Sequence, residues 1–224
     1  KVYVIAEAGI NHNGDLTTAL EMVKYAKNIG ADCIKFQAFE LDKLVSKEAK
    51  SAEYQKKETG KKKQKDVLKE LQLTRSELKI LFNECKKFRI DFLCTAFDED
   101  LLIYLVSLGM NKIKVPSGEI TNFPFLECVA KLSIPVILST GMSSMIEVES
   151  AVNYMKSINI KLDLTILHCT SLYPAPISTL NLLAIKSLSQ KFNTQVGYSD
   201  HSILNAASLG AIGLGARMIE KHFT

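Results

Sequence analysis

The sequence predicts a single (β/α)8 TIM barrel, and three observations support that prediction. Short apolar runs rich in β-branched residues alternate with segments of helical spacing along the whole chain. Eight such runs fit within 224 residues, a length that barrels of this class commonly reach undivided. No linker rich in proline and glycine interrupts them. We therefore expect one catalytic barrel domain over residues 1–224.

The predicted strands are continuous apolar runs, which is typical of a parallel sheet covered by helices. They fall at residues 2–7, 33–37, 91–95, 112–115, 136–139, 162–168, 195–199 and 217–220. The predicted helices cover residues 16–29, 76–88, 98–108, 123–132, 145–157, 178–191 and 202–213. In the second of these helices Leu78, Leu81, Phe82 and Cys85 form one apolar stripe. The sequence ends at Thr224, directly after the eighth strand, so we expect the barrel to be truncated before its eighth helix.

Composition excludes several classes of protein. The net charge of +4 is too small to indicate a nucleic-acid partner. The five cysteines form no CxxC pair, as is typical of reduced thiols in a cytoplasmic protein. No apolar run approaches the 18 residues of a membrane span, and no signal peptide is recognisable. These features predict a soluble, cytoplasmic protein without a membrane partner.

One long polar loop, residues 38–69, interrupts the alternation and contains the run KKETGKKKQK at 56–65. It is interpreted either as a solvated, mobile loop or as a basic lid that steers anionic substrates. Apart from Tyr54, no aromatic residue is interleaved with its basic residues, which argues against RNA binding.

Histidines follow two successive predicted strands, His201 in GYSDH and His222 in IEKHFT. Neighbouring strand ends lie about 5 Å apart, so the two imidazoles could share one divalent ion. The remaining histidines have structural alternatives, His12 as a turn residue and His168 as a core residue. Asp200 is predicted to be a helix N-cap, in which case His201 would be its neighbour by accident.

Two lysines, Lys35 and Lys114, lie within apolar strands, where an ammonium group is costly unless it meets an anion. Together with hydroxyl groups at strand ends they predict a site for a phosphate-bearing substrate. The alternative is a buried ion-pair network with Glu7 or Glu119. The simplest interpretation of Lys221 is that its side chain faces outward from the barrel.

The segments AEAGINHNG, GADCIKFQAF, IPVILSTGM, LHCTSLYPAP, VGYSDHS and IEKHFT resemble the bacterial sialic acid synthases, which include N-acetylneuraminate and legionaminate synthases. The resemblance covers essentially the whole chain. It implies condensation of phosphoenolpyruvate with an N-acetylated aminosugar, N-acetylmannosamine or a diacetamido-dideoxy analogue, to a nonulosonic acid with release of phosphate. It also implies a divalent metal, Mn²⁺ before Mg²⁺ or Co²⁺, and a homodimer in which a small C-terminal antifreeze-like domain, absent here, closes the partner's sugar site.

Residue roles carry over position by position from this resemblance. The metal ligands would be His201 and His222. The phosphoenolpyruvate site would comprise Lys35, Thr95, Lys114, Ser117, Ser139 and Ser199. Contacts to the sugar and to metal-bound water would come from Glu7, Gln37, Glu119 and Tyr173. Glu119 or Glu220 would orient the water that attacks C2 of the intermediate. The chain departs from the family pattern at Ala96, where proline is usual, at Ser171, where some members have asparagine, and in SDHSILN, which lacks a common glycine.

Two other functions stay open at this point. A synthase of 3-deoxy sugar acids would share the barrel and the KFQ-like second strand, although the SDH and EKHFT segments argue against it. A carbohydrate-binding barrel without catalytic activity would be a protein of another class, and the presence of every candidate metal and anion residue argues against that.

Overall fold

The computed structural model describes residues 1–44 and 68–224, and of Asp42 only the backbone. The basic run at 56–65 lies outside the described residues, so both interpretations of it stay predictions. Within the described ranges, none of the helices combines the length and the apolar character that a membrane crossing requires.

Eight parallel strands form a nearly closed barrel, as predicted. The strands are β1 Tyr3–Gly9, β2 Cys33–Ala38, β3 Asp91–Ala96, β4 Ile113–Val115, β5 Val136–Ser139, β6 Leu164–Cys169, β7 Gln195–Asp200 and β8 Met218–His222. Their order in the sheet is β3-β2-β1-β8-β7-β6-β5-β4, and β3 and β4, the two end strands, are in contact. Strand β8 pairs with β1 in a register that sets Glu7 beside His222.

Helices cover the outer face of this barrel and bury its apolar side chains. They are α1 Leu16–Asn28, α2 Leu41–Leu44, α3 Arg75–Phe88, α4 Glu99–Leu108, α5 Phe123–Lys131, α6 Met145–Ile158, α7 Ala184–Phe192 and α8 Asn205–Gly213. Capping boxes start two of them, Thr74 with Glu77 at α3 and Ser144 with Glu147 at α6. The starts of α3 and α6 are therefore specified by local sequence.

Two predicted helix starts are wrong. Helix α7 begins at Ala184 and not at 178, because Asn181 has a positive φ of 39° that no α-helix accommodates. Helix α8 begins at Asn205 and not at 202, with Leu204 at the N-cap position. Asp200 is therefore not the N-cap of α8, and its carboxylate accepts the backbone N–H of Ser202 instead.

Candidate active site

One cavity opens at the carboxyl ends of the strands, and all eight strands contribute to it. It is lined by Glu7, Lys35, Gln37, Thr95, Phe97, Lys114, Pro116, Ser117, Ser139, Cys169, Tyr173, Ser199, His201, Glu220 and His222. Strand side chains alternate between the two faces of a sheet, so residues two apart, such as Glu220 and His222, face the cavity together. The structure thus gathers every predicted site residue except Glu119.

Glu119 lies in a short 3-10 helix, Ser117–Glu119, directly after β4. It is half-buried, and its Oε2 accepts a hydrogen bond of 2.6 Å from Asn122 Nδ2. Its contact with the sugar or with water stays a prediction. In this form its carboxylate is hydrogen-bonded to Asn122 beside the cavity.

The two strand lysines are paired with carboxylates in the cavity. Lys35 Nζ lies 2.7 Å from Glu7 Oε2, and Lys114 Nζ lies 3.3 Å from Glu220 Oε1. A longer contact of 3.8 Å joins Lys35 Nζ to Glu220 Oε2. None of the four residues is more than 5% exposed. The buried-network alternative therefore describes this form of the protein, with Glu220 in the place expected for Glu119.

The same network shifts the pKa values of Glu7 and Glu220 in opposite directions. Burial raises the pKa of Glu7, the nearby Glu220 carboxylate adds to this, and Lys35 offsets it only in part. Burial also acts to raise the pKa of Glu220, but Lys114, Lys35 and the Ser199 hydroxyl outweigh it and lower that pKa to about 2. Glu220 is therefore the firmly ionised carboxylate, and Glu7 is the one more easily protonated.

Hydroxyl groups complete the polar lining of the cavity. Ser199 Oγ donates to Glu220 Oε1 over 2.9 Å, and Lys35 Nζ donates to Thr95 Oγ1 over 3.4 Å. Ser139 Oγ is buried near the Cys169 thiol and forms no hydrogen bond of ordinary geometry within the described ranges. An unpaired buried hydroxyl is costly, and a bound anion would pair it.

Gly141, which follows β5 with a φ of 51°, keeps space open beside these hydroxyls. A Cβ atom there would lie 2.3 Å from Ser117 Oγ and 2.8 Å from Ser171 Oγ. Any side chain would therefore push the two hydroxyls out of the place where they converge. Ser171, at the position where some family members have asparagine, thus keeps a polar group beside the predicted anion site.

The histidine pair fits a divalent cation. His201 Nδ1 lies 2.6 Å from the carbonyl oxygen of Thr170, so Nδ1 carries the proton and Nε2 keeps the lone pair that could bind a cation. In this form Nε2 lies 3.1 Å from Tyr173 OH and 3.3 Å from Ser199 Oγ, and a cation would replace these hydroxyl contacts. The imidazole centroids of His201 and His222 are 6.2 Å apart. Burial lowers the pKa of both, that of His222 to about 4 with help from Lys35. Both rings are neutral at neutral pH, as metal ligands must be.

The carboxylates and thiols do not join this pair. Within residues 1–44 and 68–224, no group of three or more His, Cys, Asp and Glu side chains gathers around a metal position. A cation here would thus have two protein nitrogens and would complete its coordination with water or substrate, which is the arrangement of an open metal site.

The two remaining histidines, His12 and His168, have the structural roles that were predicted from the sequence as alternatives to a site role. His12 Nδ1 accepts the backbone N–H of Gly14 over 3.0 Å and holds the turn after β1. His168 Nε2 lies 2.7 Å from the Leu180 carbonyl oxygen, and its ring stacks on Tyr198. Neither residue lines the cavity.

Sequence reasoning missed three lining residues and one orienting group. The lining residues are Phe97, Pro116 and Cys169, each within two positions of a predicted strand end, so their spacing could have identified them. The carbonyl of Thr170 that orients His201 carries no side-chain signal and could not have been found in this way.

A barrel whose strand ends gather buried charges, hydroxyl groups and two neutral histidines has the organisation expected of an active site. The NeuB family model matches residues 22–224. The N,N'-diacetyllegionaminic acid synthase of Legionella pneumophila is 44% identical over 99% of this chain and 64% of its own length. For the same-named enzyme of Campylobacter jejuni the identity is 45%, over 100% and 68%.

A solved structure agrees with these relatives. The N-acetylneuraminic acid synthetase of Leptospira borgpetersenii serovar Hardjo-bovis superposes with a TM-score of 0.89 at 36% identity, covering 100% of this chain and 73% of that one. The chain therefore belongs to the NeuB family. It spans about two thirds of the length of the curated relatives it matches.

Proposed function

We propose that the protein condenses phosphoenolpyruvate with an N-acetylated aminosugar and releases phosphate, forming a nonulosonic acid. The observation that carries the proposal is the convergence of Lys35, Lys114, His201 and His222 on one cavity in a NeuB-family barrel. The legionaminic acid synthases at 44% and 45% identity support a diacetamido-dideoxy sugar ahead of N-acetylmannosamine.

Lys35 and Lys114 would bind the two anionic groups of phosphoenolpyruvate. In the free protein the carboxylates of Glu7 and Glu220 compensate their charges, so a substrate anion must compete with those carboxylates. The raised pKa of Glu7 makes its protonation the least costly way to release Lys35. Ser117, Ser139 and Thr95 would add neutral hydrogen bonds that the phosphate and carboxylate require.

The reaction forms one carbon–carbon bond, between C3 of phosphoenolpyruvate and the sugar aldehyde carbon. This step uses the C2–C3 double bond of phosphoenolpyruvate and the aldehyde C=O double bond, leaves positive charge at C2, and gives an aldehyde oxygen that takes up a proton. Water adds to C2, and the bond between C2 and the phosphate oxygen then breaks with release of phosphate. Glu220, ionised and hydrogen-bonded to Ser199, would stabilise positive charge at C2, and it or Glu119 would orient the water and take its proton.

A divalent metal, Mn²⁺ before Mg²⁺ or Co²⁺, would be held by His201 and His222. Such a metal acts as a Lewis acid that polarises a carbonyl oxygen, here that of the sugar aldehyde. Tyr173, whose OH lies 3.1 Å from His201 Nε2, and Gln37, which donates to Glu7 Oε1 over 3.3 Å, would contact the sugar.

Two further parts of the proposal concern the whole protein. We infer a homodimer in which an antifreeze-like domain of one subunit closes the sugar site of the other, on the strength of the family resemblance. The five free cysteines, four of them buried, support a cytoplasmic protein.

The test is phosphate release by the complete protein with phosphoenolpyruvate, Mn²⁺ and each sugar in turn. We expect turnover with an N-acetylated aminosugar, greatest with the diacetamido-dideoxy sugar. Turnover only with an aldose that lacks the N-acetyl group would identify a 3-deoxy sugar acid synthase. Sugar binding without phosphate release in any combination would identify the carbohydrate-binding alternative.

A further inference from the structure

An ion pair joins the outer faces of β7 and β8, the strands at whose ends the two histidines lie. Asp200, the last residue of β7, lies between the cavity residues Ser199 and His201, and in β8 Lys221 lies between Glu220 and His222. Asp200 and Lys221 are register partners in the β7–β8 ladder, and their Oδ2 and Nζ atoms are 2.8 Å apart.

The Asp200 side chain is fully buried, and each of its carboxylate oxygens accepts two hydrogen bonds. Its side chain is 0% exposed. Oδ1 accepts from the backbone N–H and the hydroxyl of Ser202, over 2.9 and 2.7 Å. Oδ2 accepts from Lys221 and from Ser208 Oγ in α8, the latter over 2.6 Å. These bonds fix the turn that presents His201.

Lys221 closes the same turn from the other strand. Besides Asp200, its Nζ donates to the carbonyl oxygen of Ser202 over 2.7 Å. The residues on both sides of His201 are thus bonded to one ammonium group, and that group belongs to the residue between Glu220 and His222. We propose that the Asp200–Lys221 pair is a positioning device, which sets His201 at its place relative to His222 and Glu220.

This inference rests on the proposed metal role of the histidines. A shift of one strand end along the other changes the separation of every side chain that the two strands direct inward. If the pair served stability alone, its loss would lower the melting temperature and leave the affinity for a cation unchanged. If it positions the histidines, the affinity falls even where the fold is retained.

The experiment compares variants of the complete protein by titration with Mn²⁺ alone, followed by electron paramagnetic resonance of the free ion, and by thermal unfolding without metal. Lys221→Met keeps the length of the side chain and removes its charge, and Lys221→Arg keeps the charge. Lys191→Met is the matched control, because it breaks a 2.8 Å ion pair with Glu149 between α7 and α6, on the outer helices.

We expect Lys221→Met to weaken Mn²⁺ binding by about 10-fold or more, the effect usual for partners that orient metal ligands, with Lys221→Arg restoring most of it and Lys191→Met unchanged. Mn²⁺ binding by Lys221→Met at the wild-type level would overturn the inference and leave the proposed function standing. Absence of Mn²⁺ binding in the wild type would overturn both the inference and the proposal that His201 and His222 hold Mn²⁺.

Discussion

The two ends of the barrel both carry charged residues on strands, but they use them differently. At the amino-terminal end Asp91 accepts hydrogen bonds from Tyr3 OH and Lys112 Nζ, and the ammonium of Lys112 lies 5.2 Å from the centroid of the Tyr3 ring. The side chains of Lys112 and Asp91 are 25% and 39% exposed. At the carboxyl end the lysine and glutamate side chains of the cavity are at most 6% exposed.

This difference separates a stabilising cluster from a site. Partly solvated pairs keep part of their hydration, so the amino-terminal cluster joins β1, β3 and the start of β4 at a smaller desolvation cost than the cavity charges. The carboxyl-end charges are desolvated, share partners across the barrel, and lie beside the unpaired hydroxyl of Ser139. Such an arrangement costs stability, as is expected of charges that serve binding more than folding. Barrels generally separate function and stability in this way.

The largest expected effect is at the histidines. We expect His201→Ala or His222→Ala to lower turnover by more than about 100-fold, because loss of a ligand exceeds the effect of losing a partner that orients one. The fold should persist, since both side chains face the cavity. Phosphate release at limiting Mn²⁺ measures the effect, with Tyr3→Phe at the other end as the control. Wild-type turnover in either histidine variant would refute the assignment.

The next effect is at the cavity lysines. Lys35→Ala and Lys114→Ala should each weaken phosphoenolpyruvate binding by about 10- to 100-fold, corresponding to roughly 1.5–3 kcal/mol for a charge-assisted contact. Lys112→Ala removes a lysine from the same barrel at its other end and should leave this affinity unchanged. Calorimetry decides, and an unchanged affinity together with a destabilised fold would mean that Lys35 and Lys114 serve only the buried network.

Much of this comparison could be predicted from the sequence. The apolar runs predicted all eight strands, and strand alternation explains why Lys35 and Gln37, or Glu220 and His222, face the cavity together. Residues at strand ends can therefore be predicted as site candidates from the sequence pattern, even when none of their contacts is known.

The pairing of lysines with carboxylates in the cavity could not be predicted from the sequence. The bond between Lys114 and Glu220 joins residues 106 positions apart, and barrel closure, which no local pattern specifies, decides which carboxylate meets which lysine. The role of Asp200 was misread for a related reason: a carboxylate before a polar turn has the pattern of an N-cap, and only the neighbouring strand supplies Lys221 as its partner.

A smaller effect is expected at Ser139. Its hydroxyl is buried without an ordinary hydrogen bond, so Ser139→Ala should leave the melting temperature equal or slightly higher. The same change should weaken phosphoenolpyruvate binding by about 2- to 10-fold, the value of one neutral hydrogen bond of 0.5–1.5 kcal/mol. Ser107→Ala, on the outer surface of α4, is the control. A loss of stability with unchanged affinity would make Ser139 a structural residue like those of the amino-terminal end.

The smallest effect is at Asp91 and depends on pH. Burial acts to raise the pKa of Asp91, but the hydrogen bonds from Lys112 and Tyr3 outweigh it, and the pKa is lowered in the folded protein. A lowered carboxyl pKa stabilises the fold above the unfolded value near 4, and this contribution is lost as the pH falls through the folded value. Because the side chain is 39% exposed, the contribution should be at most about 1 kcal/mol.

Asp91→Asn should therefore lower the melting temperature at pH 7 by about 2–4 °C, and the difference from the wild type should shrink as the pH falls below 4. Turnover at pH 7 and 25 °C should stay at the wild-type level, because the amino-terminal cluster lies at the opposite end of the strands from the cavity. Glu149→Gln, which breaks the exposed pair with Lys191, controls for loss of a surface charge. A pH-independent difference would show that Asp91 contributes through hydrogen bonding that asparagine cannot replace, and a fall in turnover would show that the two ends of the barrel are coupled.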